Sequence, residues 1–201
     1  LRDAVGQAGR DSGSRDPISA GTCRSRNSTD DVRPSAVRLR TDDTVITFDD
    51  GLQGRVQCPV AERIGDFILL RRDGLIAYNL AVVVDDAGQR ITEVVRGCDL
   101  LDMTPAQILL QRALGLPTPR YLHIPVATHE DGRKLSKQSG AEPVDISQPG
   151  RNLVAALIFL QQSPPPTLAT APLTEIWEWA KCHWKPEGRV KSIRLSFRAY
   201  K

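Results

Sequence analysis

The chain has 201 residues, of which 27 are basic and 24 acidic, and its net charge is +3 at neutral pH. This length is sufficient for a domain with a buried core, and the charge is too small to indicate nucleic-acid binding by itself. No apolar stretch approaches the roughly 20 residues that span a bilayer, and no secretory signal precedes the first charged residues, so we expect a soluble, cytoplasmic protein without membrane contact.

Residues 1–33 are rich in Arg, Asp, Ser and Gly and contain no clustered apolar residues. Such a segment buries too little apolar surface to offset the entropy of ordering, so we predict that it is poorly ordered. The absence of C-x-x-C spacing indicates reduced thiols and no complete tetrahedral zinc site. The cysteines are Cys23, Cys58, Cys98 and Cys182.

Residues 34–77 alternate short β-prone pieces with turn signals, as in "AVRLR", "TVITFDDGLQGRVQ" and "DFILLRRDGLIAY". The pair Asp50 and Gly51 suits a tight hairpin, because glycine adopts positive φ without a steric penalty from Cβ. We therefore predict a small antiparallel unit in this part of the chain.

Residues 78–145 follow the order strand, helix, strand. Ile91–Val95 is a short apolar run of the kind buried in an α/β sheet, although a run of this length does not by itself exclude a helix. Thr104 is the predicted N-cap of the next helix, Pro105 suits its first turn, and Gly115 suits its end. "YLHIPVA" then predicts another strand, so we expect an α/β fold with a parallel sheet and a functional loop after a strand.

Residues 146–201 contain two stretches with helical spacing, "NLVAALIFLQQ" and "LTEIWEWAKCHW". The Pro-rich "SPPPTLATAP" between them excludes one continuous helix. We interpret Trp177, Trp179 and Trp184 as packing residues of a C-terminal helical region rather than as a platform for base stacking.

A polar loop, "HEDGRKLSKQSG", follows the predicted strand and contains Lys134 and Lys137. Two ammonium groups three residues apart on a glycine-bounded loop can point at one anion, and lysine suits phosphates whose charge moves during a reaction. Ser136 lies between the lysines, where its hydroxyl either bonds to phosphate or shapes the turn. The pattern K-x-S-K alone is a weak signal and is more typical of a solvated hairpin, because Lys and Ser are common surface residues.

The neighbourhood of this loop carries a resemblance to a known family. "KLSK" after "YLHIP" resembles the KMSKS signature of class I aminoacyl-tRNA synthetases, and the sequence upstream resembles the second half of the glutamyl-tRNA synthetase catalytic domain. The wording "AYNLAVVVDD", "VVRGCDLL" and "KLSKQ" is most similar to the glutamyl-Q tRNA(Asp) synthetases. Gln138 supports the same likeness, because the full glutamyl-tRNA synthetases commonly have Arg at this position. The resemblance runs from Gly21 to Trp184 and is densest between Asp66 and Gln138.

The resemblance implies the second half of a Rossmann-like parallel sheet, with an antiparallel insertion and C-terminal helices. It also implies a ligase that activates L-glutamate with ATP and Mg²⁺. The glutamyl group then passes to queuosine in the anticodon loop of tRNA(Asp), and we expect the enzyme to be a monomer.

The same resemblance assigns roles to individual residues. Tyr78 and Arg96 match glutamate-contacting residues, and a guanidinium fork suits a carboxylate. Lys134 and Lys137 match the two lysines of the signature, with Lys137 contacting ATP, and together with Ser136 they form the predicted catalytic loop.

Three carboxylates receive other interpretations. We expect Asp99, in "RGCDLL", to have a structural or supporting role. Asp85 and Asp86 could suggest a metal pair, but we interpret them as residues at the end of a helix or the rim of a pocket.

Parts of the family pattern are missing from this sequence. The three histidines, His123, His129 and His183, do not form the HIGH-like motif, and the "APSPTG" type segment is absent. Cys23 resembles the last cysteine of the family's Zn²⁺ site, but Ser19 stands where the family has Tyr. We therefore expect a chain that begins inside the zinc-binding segment and has little or no activity alone. The alternatives are a fragment of glutamyl-tRNA synthetase that charges tRNA(Glu), or a non-catalytic tRNA-binding remnant.

Overall fold

The computed structural model describes residues 35–129, 131–136, 140–141, 143–185 and 194–196. Cys23, Ser19, Lys137 and Gln138 lie outside the described residues. Within the described ranges the strands are β1 Val37–Leu39, β2 Val45–Asp50, β3 Gly54–Pro59, β4 Phe67–Leu70, β5 Glu93–Gly97, β6 Arg120–Ile124, β7 Val126–Thr128 and β8 Arg194–Ser196. The α-helices are α1 Val60–Arg63, α2 Tyr78–Gly88, α3 Thr104–Leu114, α4 Pro149–Phe159 and α5 Leu173–His183, with 3-10 helices at Cys98–Met103 and Pro166–Thr170.

The chain divides into two compact units. Of the described residues, the first unit contains 35–49, 55–94 and 102–121, and the second contains 50–54, 95–101 and those from 122 onward. The predicted domain boundaries after residues 33, 77 and 145 divide the chain into consecutive segments, and they stay a prediction.

An antiparallel pair, β1 with β4, lies in the first unit and confirms the predicted antiparallel insertion. Arg38 pairs with Ile68, and the register is irregular between Val37 and Arg38. The buried Asp66 carboxylate accepts hydrogen bonds from the backbone N–H of Thr41, at 2.8 Å, and from the hydroxyl of Thr41, at 3.2 Å. These bonds fix the chain as it leaves β1.

The predicted hairpin is also present, with β2 and β3 joined by residues 51–53. The prediction of positive φ at Gly51 is wrong, because the glycine with positive φ in this hairpin is Gly54, at 80°. A Cβ on Gly51 would lie 2.8 Å from Cγ of Leu122. Glycine is therefore required at position 51 by the close approach of a side chain rather than by its backbone conformation.

Helix α3 begins one residue earlier than predicted. Thr104 is the first helical residue rather than the N-cap, and Met103 precedes it with φ −90° and ψ −17°. The 3-10 helix Cys98–Met103 runs directly into α3, so the backbone is already helical and no extended cap residue forms. Gly115 ends the helix as predicted, in the left-handed conformation with φ 65°.

The core of the first unit joins the hairpin to α3 and β6. Ile46, Val60, Ile108 and Tyr121 are buried together, and partly buried side chains including Phe48 pack against them. The rings of Phe48 and Tyr121 meet edge to face with centroids 6.0 Å apart.

The second unit contains the parallel pair β7 with β8 and the C-terminal helices. Val126 pairs with Arg194 and Thr128 with Ser196. Helices α4 and α5 pack around a buried cluster that includes Leu157. Together with the order β5, α3, β6, these elements confirm the α/β class.

The three tryptophans differ in exposure. Trp179 packs against the α4–α5 core, in agreement with the packing interpretation, and its ring stacks on His183 with centroids 4.7 Å apart. Trp177 and Trp184 are 52% and 42% exposed. In the part of the chain that the structure describes, no helix has the length and apolar character needed to cross a membrane.

Candidate active site

Arg96 lies near the end of β5, where the resemblance predicts a glutamate-binding arginine. Its Nε donates a hydrogen bond to Nε2 of His123, on the adjacent strand β6, at 3.0 Å. This hydrogen bond to Nε therefore restricts the rotation of the guanidinium at the end of the flexible arginine side chain.

His123 is completely buried and is itself held on its other nitrogen. Its Nδ1 lies 2.6 Å from Oδ2 of Asp50, and neither side chain is exposed to solvent. Since the guanidinium is always a donor, Nε2 of His123 has to accept, and the ring proton is therefore on Nδ1, which donates to Asp50. The three side chains form a chain of hydrogen bonds with one consistent direction, from Arg96 through His123 to Asp50.

Asp50 ends β2 and is surrounded by donors. Its Oδ1 accepts the backbone N–H groups of Leu52 at 3.0 Å, Gln53 at 2.9 Å and His123 at 3.2 Å. Burial alone raises the pKa of Asp50, but the hydrogen bonds from His123, Gln53 and Leu52 outweigh it and hold the pKa below its usual value. Asp50 is thus an ionised carboxylate without solvent contact.

The side chain of Gln53 closes this arrangement from the hairpin. Its Nε2 donates to the carbonyl oxygen of His123 at 2.7 Å. The hairpin turn therefore contacts His123 through both its backbone and its imidazole, which fixes the ring in position as well as in protonation.

Asp99 lies three residues after Arg96 and contacts the lysine loop. Its Oδ2 accepts a hydrogen bond from Nζ of Lys134 at 2.6 Å, and the two side chains are 35% and 55% exposed. A Cβ on Gly97 would collide with Oδ1 of Asp99 and lie 3.0 Å from Val126. Asp99 thus contacts Lys134, the first lysine of the loop, and the supporting role expected for it stays a prediction.

The lysine loop begins as a tight hairpin. Leu135 N–H bonds to the carbonyl of Ala127 and His129 N–H bonds to that of Arg133, both at 2.8 Å. Gly132 allows the turn with φ 81°. Lys134 therefore lies on a backbone with a defined, strand-like conformation. Ser136 follows two residues later and is partly buried.

Tyr78 belongs to the first unit and is the first residue of α2, with 52% of its surface exposed. Its neighbour Asn79 accepts a hydrogen bond from Nε2 of the buried Gln107 on α3 at 3.0 Å. This bond and the packing of α2 on α3 fix the start of α2 and hence the backbone of Tyr78.

Metal-ligating groups do not converge within the described residues. No set of three His, Cys, Asp or Glu side chains in that part of the chain could hold a metal ion. Asp85 and Asp86 lie in the last turn of α2, in agreement with the interpretation as helix-end residues. The zinc prediction depends on Cys23, which is outside the described residues.

Sequence reasoning missed Asp50 and His123 as members of the site. In the sequence, Asp50 has the pattern of a turn residue, and His123 that of one position in an apolar strand. The two residues are 73 positions apart, so no local spacing relates them. A histidine inside the apolar "YLHIP" was the available signal, since a buried imidazole needs hydrogen-bond partners.

Comparisons with known proteins identify the family of the chain. The family model described as tRNA synthetases class I (E and Q), catalytic domain, matches residues 2–155. The glutamyl-Q tRNA(Asp) synthetase of Methylococcus capsulatus is 53% identical over 177 residues, which cover 86% of this chain and 59% of the relative. That of Aromatoleum aromaticum is 52% identical over 139 residues, covering 69% and 44%. The chain spans about half the length of the curated relatives it matches.

Solved structures show the same fold at lower identity. The glutamate-tRNA synthetase from Elizabethkingia anophelis superposes with a TM-score of 0.60 at 23% identity, over 81% of this chain and 37% of that chain. The glutamate tRNA ligase from Elizabethkingia meningosepticum gives 0.59 at 22% identity, over 82% and 36%. With the matched family model and the relatives above, the chain belongs to the class I tRNA synthetases (E and Q), through their catalytic domain.

Proposed function

We propose that this chain carries part of a ligase that activates L-glutamate with ATP and transfers the glutamyl group to queuosine in the anticodon loop of tRNA(Asp). The relative from Methylococcus capsulatus, named for a glutamyl-Q tRNA(Asp) synthetase, supports this assignment at 53% identity. The structural observation that supports glutamate activation is Arg96, a guanidinium oriented by the buried His123, which Asp50 holds in turn.

Glutamate recognition depends on charge and on geometry. Arg96 binds a carboxylate of the amino acid, because a planar guanidinium matches a carboxylate better than an ammonium does. Tyr78 adds a phenol that can donate to or accept from the substrate. An amino acid with a neutral side chain, such as glutamine, lacks one of the charges that this site recognises.

Adenylation requires a change of bonds at the α-phosphate of ATP. A carboxylate oxygen of glutamate attacks the α-phosphorus, the bond to the bridging oxygen breaks, and pyrophosphate leaves. Lys134 and Lys137 neutralise the phosphate charge that develops, and Ser136 offers a hydroxyl donor. Mg²⁺ bound to the phosphates of ATP would supply further charge neutralisation there.

Transfer completes the reaction. An acceptor group on queuosine attacks the glutamyl carbonyl carbon, and AMP leaves with the bonding electrons of the mixed anhydride.

The enzyme acts as a monomer in this proposal, which sedimentation equilibrium tests directly.

The first stage is tested by ATP–pyrophosphate exchange, using the complete product of the reading frame that encodes this chain. We expect exchange that depends on glutamate and not on glutamine or aspartate. Exchange driven by a different amino acid, or no exchange with glutamate, would contradict the proposed activity.

A further inference from the structure

We infer that Asp50 and His123 are positioning residues for glutamate binding, which act by fixing the orientation of the Arg96 guanidinium. This inference rests on the proposed function, since it assumes that Arg96 binds the substrate carboxylate. It adds two residues, separated by 73 positions in the sequence, that no motif of the chain assigns to the site.

The hydrogen-bond directions leave His123 with one protonation state. Nε2 accepts from Nε of Arg96 at 3.0 Å, and Nδ1 lies 2.6 Å from Oδ2 of Asp50. An imidazolium would place an N–H against the guanidinium N–H, and the other neutral tautomer would leave Asp50 facing a bare nitrogen lone pair. The neutral Nδ1–H form is therefore the one that satisfies both neighbours.

His123 orients the guanidinium through its Nε group and, as a neutral imidazole, adds no negative charge of its own. Asp50 supplies the negative charge one residue further away, where it fixes the ring.

Burial makes this arrangement rigid. The side chains of His123 and Asp50 are both 0% exposed, so water cannot replace either hydrogen bond. Asp50 is further held by the N–H groups of Leu52 and Gln53, and Gln53 also bonds to the carbonyl of His123. Movement of the ring would break several bonds at once, and Arg96 is held by a support that does not rearrange easily.

Two amide substitutions separate positioning from structural support. In His123→Asn the side-chain nitrogen occupies the Nδ1 place and keeps the bond to Asp50, but the shorter side chain offers no acceptor to Nε of Arg96 in place of Nε2. In His123→Gln the longer side chain places its oxygen near the Nε2 place and keeps the acceptor for Arg96, while the donor to Asp50 is lost. The two variants therefore lose opposite halves of the arrangement.

We expect His123→Asn to raise the glutamate KM in ATP–pyrophosphate exchange by about 10- to 100-fold, as for a lost hydrogen bond to a charged group. Its ATP KM stays close to that of the wild type, and its melting temperature falls less than that of His123→Gln, because the bond to the buried Asp50 carboxylate is kept. His123→Gln melts at a lower temperature but keeps a glutamate KM within about fivefold of the wild type. His183→Asn is the matched control, because His183 is exposed on α5. It leaves the glutamate KM and the ATP KM unchanged.

A spectroscopic measurement tests the protonation state independently of activity. In the ¹⁵N spectrum of the complete reading-frame product with selectively labelled histidine, the His123 signal is assigned as the one that both His123 variants lose. At neutral pH we expect His123 to give the signature of the Nδ1–H tautomer, which His123→Asn and His123→Gln remove.

The outcomes are distinguishable. An imidazolium or an Nε2–H tautomer at His123 would overturn the inference, as would a wild-type glutamate KM in His123→Asn. Equal losses of glutamate affinity and of melting temperature in both variants would show a structural role and overturn it too. No glutamate-dependent exchange in the wild type would contradict the proposed function itself, and the inference with it.

Discussion

An ionised carboxylate and a neutral imidazole, both buried, set the electrostatics around Arg96. Asp50 remains ionised because four hydrogen bonds, from His123 and from three backbone N–H groups, replace its solvation. Such a group stabilises the folded state only while it is charged. Its contribution to stability therefore depends on pH in a direction that can be stated.

The folded-state pKa of Asp50 lies below the value of about 3.9 expected for an unfolded chain. Its contribution is fully present above the unfolded pKa and is lost as pH falls through the folded pKa. We expect Asp50→Asn to lower the free energy of unfolding at pH 7 by about 2 kcal/mol, a typical value for hydrogen bonds to a charged group. Chemical denaturation measured between pH 7 and pH 3 should show the difference from the wild type shrinking at the acid end.

Asp42→Asn is the matched control for this measurement. The pKa of Asp42 is also lowered, by hydrogen bonds from Thr44, but its carboxylate is exposed and solvent screens the effect. A similar pH dependence in both variants would contradict the special role of the buried carboxylate.

At the scale of elements, one short segment serves two parts of the site. Arg96 and Gly97 end β5, and Asp99 lies in the 3-10 helix that follows directly. Arg96 contacts His123, whereas Asp99 contacts Lys134 on the hairpin of the lysine loop. Arg96, the proposed glutamate contact, and Asp99, which contacts the proposed phosphate-binding Lys134, are therefore only three residues apart in the chain.

The contact of Asp99 with Lys134 makes a kinetic prediction. Both side chains are partly exposed, so Asp99→Asn should change the free energy of unfolding by less than about 1 kcal/mol. Loss of the fixed position of Lys134 should lower the exchange rate at saturating substrates about tenfold, with little change in the glutamate KM.

Asp131→Asn provides the control within the same loop. Asp131 accepts a hydrogen bond from Arg133 at 2.6 Å, and the two side chains are 49% and 66% exposed, which is comparable to the Asp99 pair. A wild-type rate in Asp99→Asn, or an equal fall in Asp131→Asn, would show that this pair has no particular role in catalysis.

Local signals predicted the elements better than the contacts between them. Pro105 and Gly115 mark the ends of α3 to within a residue, because backbone conformation at helix ends is decided locally. The bond between His123 and Asp50 depends on tertiary packing, and so does the requirement for glycine at Gly51. No periodicity in the sequence carries such information.

At the scale of the whole molecule, the family is established and the reaction is proposed. The matched family model covers residues 2–155, and the curated relatives agree in their name. The acceptor is the part of the proposal that separates this reaction from ordinary charging of tRNA(Glu). Neither the glutamate contact at Arg96 nor the lysine loop distinguishes those two acceptors, because both reactions begin with the same adenylate.

The most direct test is therefore the transfer of radiolabelled glutamate by the complete product of the reading frame. Three acceptors are compared: tRNA(Asp) containing queuosine, the same tRNA without queuosine, and tRNA(Glu). We predict label only on the queuosine-containing tRNA(Asp), in a form retained after removal of the 3′-terminal adenosine. Label on tRNA(Glu), or label lost with that adenosine, would contradict the account.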